Sequence, residues 1–145
     1  MKIQVLADLH GEFVVYETAN KQEVETFSKM KNVHADLTVV AGDLHTKGRG
    51  IELAACMWPD RPAILVAGNH EFYGQPWPAH IDRLKELAAD HSNVYILEND
   101  AVEIKDLVIL GCTLWTDCKL WEAGPWAGLF TYEGGQGHSI FIALS

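Results

Sequence analysis

The chain has 145 residues, of which 48% are apolar and 21% charged, a composition typical of one globular domain with a buried core. It carries 20 acidic residues against 11 basic ones and a formal charge of −9. No basic surface is therefore expected to bind a nucleic acid by displacing its counterions. This charge still allows a small phosphorylated substrate, because bound cations reverse the local sign of a site.

Cysteine use and hydropathy predict a cytoplasmic protein. The three cysteines form no C-x-x-C pair, which argues against a disulfide framework or a structural zinc site and fits a reducing compartment. The N-terminal MKIQVLADLHGE is interrupted too early by polar residues to be a signal peptide. No apolar run approaches the roughly 18 residues that cross a bilayer, so no membrane contact is expected.

Strands and helices alternate over the first two thirds of the chain. Hydrophobic periodicity predicts buried strands over residues 1–6, 37–41 and 63–67, and helices over residues 20–31, 51–57 and 76–91. Pro78 lies in the first turn of the last of these helices, where proline is tolerated. A strict β-α-β alternation with short turns predicts a parallel sheet covered by helices.

The pattern changes after Asn93. Short strands are predicted over residues 94–97, 101–105 and 107–114. The tight spacing around Lys105-Asp106 predicts a hairpin between the last two strands. Beyond Trp115 the sequence is rich in Gly and Trp without a clean period, and it ends on the apolar SIFIALS. We expect one domain over residues 1–145, divergent over 116–145.

Three of the predicted strands end in closely related motifs. They are LADLHG (6–11), VVAGDLH (39–45) and LVAGNHE (65–71). Ligands of open parallel sheets bind just outside the carboxyl ends of the strands, so the polar residues of these motifs are expected to face one point. Each motif alone is weak, because an aspartate after a strand is usually a turn former or a helix cap. The ordered set D-x-H, G-D and G-N-H-E on successive strands is much more specific.

This ordered set resembles the calcineurin-like metallophosphoesterases. GNHEFYG (68–74) and NVYILEND…LVILGCTLWTD (93–117) are similar to a bacterial subgroup of that family, and the likeness covers about the first four-fifths of the chain. The resemblance implies an α/β fold with a layered β-α-β sandwich. It also implies a hydrolase that cleaves a phosphate ester with water activated by two metal ions.

The resemblance implies a metal-ligand set. Asp8 and His10 would bind one divalent ion, Asp43 would bridge both ions, and Asn69 would bind the second through its side-chain oxygen. This mixture of oxygen and nitrogen ligands suits Mn, Fe, Zn or Ni better than calcium.

The resemblance also implies two catalytic residues. His70 would stay off the metals and either protonate the leaving oxygen or stabilise charge on the phosphoryl group, and Glu71 would orient His70. Phe72, Tyr73 and Trp77 follow closely and are candidates to contact the substrate.

The chain departs from the family pattern after Asp117. The family's further strand-end histidine and its G-H-x-H motif are not recognisable, and Gly137-His138 supplies a G-H without the second histidine. His138 either replaces one missing ligand or is a solvated loop residue. The sandwich is therefore expected to be incomplete at its C-terminal side.

Three explanations of this departure compete. The chain is a truncated or frame-shifted product, or it forms a homo-oligomer that covers the incomplete sheet, or it is a contracted member with a weak metal site and reduced or absent activity. The rival functional class is a catalytically impaired remnant of the fold that acts as an interaction module. A nucleotide-binding domain is disfavoured, because no G-x-G-x-x-G or P-loop motif follows the first strand.

Overall fold

A computed structural model describes residues 1–13 and 27–114, together with the backbone of residues 140–144. Its first sheet has four parallel strands in the spatial order β1-β2-β3-β4. They are β1 (Ile3–Leu6), β2 (Leu37–Ala41), β3 (Ala63–Val66) and β4 (Val94–Ile96). The register places Val5 beside Val39, and Val39 beside Ile64. The carboxyl ends of β1, β2 and β3 therefore lie next to one another.

Helices cover one face of this sheet. The helices are α1 (Arg49–Met57) and α2 (Ala79–Ala89), and residues 27–31 are also helical. Val40 and Leu65 of the sheet share a core with Ile51 of α1 and Leu84 of α2. Trp58, which follows α1, is fully buried in the same cluster. This helical layer holds the strands from one side and leaves their carboxyl ends free.

A second, antiparallel sheet covers the other face. It contains β5 (Asp100–Ile104), β6 (Leu107–Thr113) and β7 (Ile140–Leu144) in that order. Leu37 and Val39 on β2 alternate with residues that face the helices, and they pack with Leu97 and Ile109 in a separate core. The period of two along a strand explains why one strand contributes to both cores. The layered α/β sandwich predicted from the sequence is confirmed.

Element boundaries differ from the prediction by a few residues. The helix expected from residue 76 begins at Ala79, because Pro78 disfavours the helical conformation of the residue that precedes it. The helix α1 begins two residues early, at Arg49. The hairpin is confirmed, with Ile104 paired to Leu107. Of the helix expected over 20–31, residues 20–26 lie outside the described residues.

The apolar C-terminal segment forms a strand of the second sheet. β7 pairs antiparallel with β6, with Thr113 beside Ile140 and Ile109 beside Leu144. On the outer side of β6, Val108 and Leu110 are exposed. That a homo-oligomer covers this sheet stays a prediction, as does the single domain over 1–145.

No helix within the described residues has both the length and the apolar character that crossing a bilayer requires.

Gly111 of β6 packs closely against residues of the core between the two sheets. A methyl group at this position of β6 would lie 2.5 Å from Cβ of Leu97 and 2.9 Å from Cγ2 of Val66. Both neighbours belong to the core between the sheets, so neither can move away without disturbing the packing.

Gly111→Ala is predicted to destabilise the protein by about 1–3 kcal/mol, the usual cost of overpacking a core. Urea unfolding followed by circular dichroism measures this change. Val108→Thr, an exposed position on the same strand, is the control and should stay within about 0.5 kcal/mol. Equal stability of Gly111→Ala and wild type would contradict the close approach of the two sheets.

Candidate metal centre

The loops after β1 and β2 run side by side beyond the ends of the strands. The Asp8 N–H donates to the Gly42 carbonyl at 3.1 Å, and the His10 N–H donates to the Asp43 carbonyl at 2.9 Å. These bonds extend the parallel pairing of the strands into the loops. The D-x-H and G-D motifs are thereby held next to each other.

The backbone of these loops adopts an uncommon conformation. Asp8, His10 and Asp43 have φ values of +53°, +48° and +52°, and they are three of the six non-glycine residues with positive φ in the described part of the chain. Asp and His tolerate this left-handed region better than most residues, and such backbone strain is concentrated at functional sites. The left-handed backbone of these three residues, as well as the chemistry of their side chains, therefore marks them as candidate site residues.

The buried carboxylate of Glu71 holds the loops after β2 and β3 together. Its Oε2 accepts hydrogen bonds from the N–H groups of Gly68 at 2.7 Å and Asp43 at 3.1 Å. Its Oε1 accepts from those of Leu44 at 2.9 Å and His45 at 3.3 Å. Burial raises the pKa of Glu71 to about 7, although the Gly68 and His45 N–H groups oppose the rise.

Asp43 approaches the turn of the G-N-H-E motif closely. Its Oδ1 accepts a hydrogen bond from the His70 N–H at 2.8 Å. A methyl group on Gly68 would lie 2.7 Å from the Asp43 backbone nitrogen, so this contact needs glycine at residue 68. The Asp43 side chain therefore joins the second strand end to the third.

His10, Asp43 and His70 form a group that could hold a metal ion. Each offers one ligand atom, and the three atoms lie within 4.8 Å of one another. Asp43 is buried and the two histidines are half-buried. The residues come from the ends of β1, β2 and β3, so the predicted convergence of the three motifs is present in the structure.

Two further predicted ligands, Asp8 and Asn69, lie beside this group and are not members of it. The Asp8 side chain is exposed, while its backbone contacts Gly42. Asn69 is buried, and its Nδ2 donates to the Tyr73 hydroxyl at 3.1 Å. The same hydroxyl lies 3.2 Å from Nε2 of His70.

Glu12 is a site residue that the motifs did not single out. Its Oε1 lies 2.7 Å from Nδ1 of His70 and 3.3 Å from Nδ1 of His10. Burial opposes ionisation, but hydrogen bonds from its own backbone and from both histidines lower the pKa of Glu12. The signal in the sequence is the spacing of two that Asp8, His10 and Glu12 share. The carboxylate beside the His70 ring is that of Glu12, whereas Glu71 binds the backbone.

The family of the chain follows from a comparison with protein-family models. Residues 1–135 match the model of the calcineurin-like phosphoesterases. The chain belongs to the calcineurin-like phosphoesterase family. A search of curated proteins finds no match.

A solved structure shares the fold of this calcineurin-like phosphoesterase. The phosphopantetheinyl hydrolase PptH from Mycobacterium tuberculosis superposes with a TM-score of 0.51 at 19% sequence identity. The match covers 72% of this chain and 38% of that one. At this identity the likeness concerns the fold alone, and the chain spans well under half the length of that relative.

The described residues fit the divalent metal ions that the family implies. Imidazole nitrogens and a carboxylate oxygen suit first-row transition metals, and they converge here in His10, Asp43 and His70. Beside them, the buried Oε2 of Glu12 has no hydrogen-bond partner in the described part of the chain. A nearby cation would stabilise a buried carboxylate oxygen that lacks a hydrogen-bond partner. His138, considered above as a replacement ligand, lies outside the described residues.

His80 supports the turn that carries the site. It lies on α2, is 5% exposed, and its imidazole hydrogen-bonds the backbone carbonyl of Glu71. Its ring packs edge-on against Phe72 at 5.8 Å. Burial lowers the pKa of His80, so the folded protein keeps this imidazole neutral at a pH where the unfolded chain protonates it.

This difference predicts how stability depends on pH. The unfolded chain takes up a proton on His80 as the pH falls through about 6.5, while the folded chain does not, so folding loses stability below that pH. In metal-free protein, His80→Phe should therefore lose less stability than wild type between pH 7.5 and 5.5, as measured by urea unfolding. His34→Gln, at an exposed position, is the control and should behave like wild type. An identical loss in wild type and His80→Phe would contradict the prediction.

Proposed function

We propose that this protein hydrolyses a small phosphate ester with water activated by two divalent metal ions. The observation that carries the proposal is the convergence of His10, Asp43 and His70 from three strand ends, with one side-chain atom of each within 4.8 Å of the others. Membership of the calcineurin-like phosphoesterase family makes a phosphate ester the substrate class.

In this proposal four side chains hold the metal ions. Asp8 and His10 would hold one ion and Asn69 the other, and Asp43 would serve both. When bound, such ions lower the pKa of a water molecule and neutralise negative charge on a phosphoryl group. The left-handed backbone at Asp8, His10 and Asp43 supports their assignment to one site, because strain of this kind is kept where function requires it.

His70 protonates the leaving oxygen. Its imidazole is half-buried and lies beside Glu12, His10 and Tyr73, so it combines partial access to solvent with a carboxylate that fixes the orientation of its ring. Glu71 holds the loops after β2 and β3 in place. By binding four backbone N–H groups, it keeps Asp43 at a fixed distance from the G-N-H-E turn.

An aromatic rim beside His70 is the proposed contact surface for the substrate. The Tyr73 ring lies 4.4 Å from that of His70 and is 43% exposed. Trp77 is 50% exposed and packs on the buried Phe72 at 5.0 Å. Exposed aromatic rings next to a catalytic group favour a substrate whose leaving group is itself apolar or aromatic.

The proposal predicts metal-dependent turnover of an aryl phosphate ester. Dialysis against EDTA should abolish hydrolysis of p-nitrophenyl phosphate or its bis-ester, and Mn²⁺ should restore it. Asp43→Asn keeps an oxygen for the His70 N–H but removes the negative charge. It should lower kcat/KM by about a hundredfold or more, since metal ions contribute several kcal/mol to such reactions.

Asp60→Asn is the matched control, because Asp60 is exposed in a turn away from the site. It should retain full activity. Turnover that survives metal removal, or an Asp43→Asn rate equal to that of wild type, would rule out the proposed mechanism. Absence of turnover with every divalent ion would favour the remnant that serves as an interaction module.

A further inference from the structure

The Glu12 carboxylate is shared by the two histidines of the site. Its Oε1 lies 2.7 Å from Nδ1 of His70 and 3.3 Å from Nδ1 of His10, and these two nitrogens are 3.3 Å apart. The Glu12 side chain is only 10% exposed. Among the contacts of the His70 ring, the one to Glu12 is the shortest that the structure gives.

Donor and acceptor chemistry fixes the tautomer of His70 at this contact. An ionised carboxylate only accepts hydrogen bonds, so Nδ1 of His70 must carry a hydrogen to approach Oε1 of Glu12 at 2.7 Å. In a neutral imidazole, Nε2 then bears the lone pair. The opposite tautomer would set a lone pair against a negatively charged oxygen.

The other side of the His70 ring agrees with this assignment. The Asn69 amide nitrogen only donates, so the Tyr73 oxygen accepts from it at 3.1 Å. The Tyr73 hydroxyl hydrogen is then free to donate to Nε2 of His70 at 3.2 Å. A single direction of hydrogen bonding runs from Asn69 through Tyr73 and His70 to Glu12, and each group plays a role that its chemistry allows.

The same reasoning applies to His10. Its Nδ1 lies 3.3 Å from the same carboxylate oxygen and 3.3 Å from Nδ1 of His70. Because the His70 hydrogen is directed at the closer oxygen, 2.7 Å away, Nδ1 of His10 bonds the carboxylate and is a donor too. The second oxygen, Oε2, is buried and has no partner in the described part of the chain, so both imidazole N–H groups bond the same oxygen, Oε1. One carboxylate therefore satisfies two imidazole N–H groups.

We infer that Glu12 is a positioning residue that holds both His10 and His70 in the Nδ1–H tautomer. This tautomer leaves Nε2 of each ring available for the reaction. The use of these atoms rests on the proposed function. Nε2 of His10 is the atom left for the metal ion. The proton on Nε2 of cationic His70 passes to the leaving oxygen as the P–O bond breaks, and His70 remains as the neutral Nδ1–H form.

Nitrogen NMR tests the inference without a measurement of enzymatic activity. Protein labelled with ¹⁵N-histidine is kept metal-free at about pH 8, where an ordinary imidazole is neutral, and long-range ¹H–¹⁵N spectra report which ring nitrogen carries the hydrogen. His10→Gln and His70→Gln assign the signals. Wild type and Glu52→Gln, an exposed control on α1, should show both rings as Nδ1–H, and Glu12→Ala should convert both toward Nε2–H.

Glu12→Gln serves if the alanine variant does not fold. Its amide oxygen still accepts one N–H, so His10, at the longer distance, should lose the Nδ1–H form while His70 keeps it. An Nε2–H signal from either ring in wild type would overturn the inference, as would tautomers that Glu12→Ala leaves unchanged.

Calorimetric titration with Mn²⁺ separates this inference from the proposed function. Loss of an outer carboxylate partner of a metal-binding histidine weakens metal affinity by about 10–100-fold, so Glu12→Gln should bind Mn²⁺ that much more weakly than wild type or Glu52→Gln. Wild type with Nδ1–H tautomers but no Mn²⁺ binding would reject the metal-dependent function and uphold the positioning role of Glu12. Equal Mn²⁺ affinity of Glu12→Gln and wild type would count against that role.

Discussion

The carboxylate of Glu71 is the contact on which the site depends. It is almost fully buried, and it accepts four backbone hydrogen bonds from the loops after β2 and β3. Removing it would leave buried N–H groups unsatisfied, each at a cost of about 1–3 kcal/mol. Asp43 adds a second connection by accepting the His70 N–H. These bonds stabilise a loop whose backbone at Asp43 is left-handed and would otherwise relax.

Two carboxylates, those of Glu71 and Glu12, organise the site at the carboxyl ends of the parallel strands. Glu71 binds backbone N–H groups and sets where the loops lie, whereas Glu12 binds the imidazole nitrogens of His10 and His70 and sets how the rings are oriented. The two parts support each other, because fixed loops bring the histidines within reach of one carboxylate. In an acidic chain this arrangement concentrates negative charge where a cation can neutralise it.

Periodicity and glycine turns, which are local signals, predicted the parallel sheet and the strands that carry the site, and the family resemblance implied the sandwich. The sequence also predicted that Asp43 and His70 meet, since the motifs follow adjacent parallel strands. It did not assign a strand to the apolar C-terminal segment or a role to Glu12. Glu12 and His70 are 58 residues apart, and their contact depends on how two loops fold over the sheet edge. Residues 14–26 and 115–139 lie outside the described structure, so the predictions made for them remain predictions.

Anomalous diffraction from crystals grown with Mn²⁺ would test most directly whether the three strand ends form a metal site. Such data locate the ion independently of any assumed mechanism. We expect an anomalous peak bounded by a ring nitrogen of His10 and a carboxylate oxygen of Asp43, at the distances of direct coordination. A protein that shows no peak at this edge of the sheet, or binds the ion only through other side chains, would contradict the account.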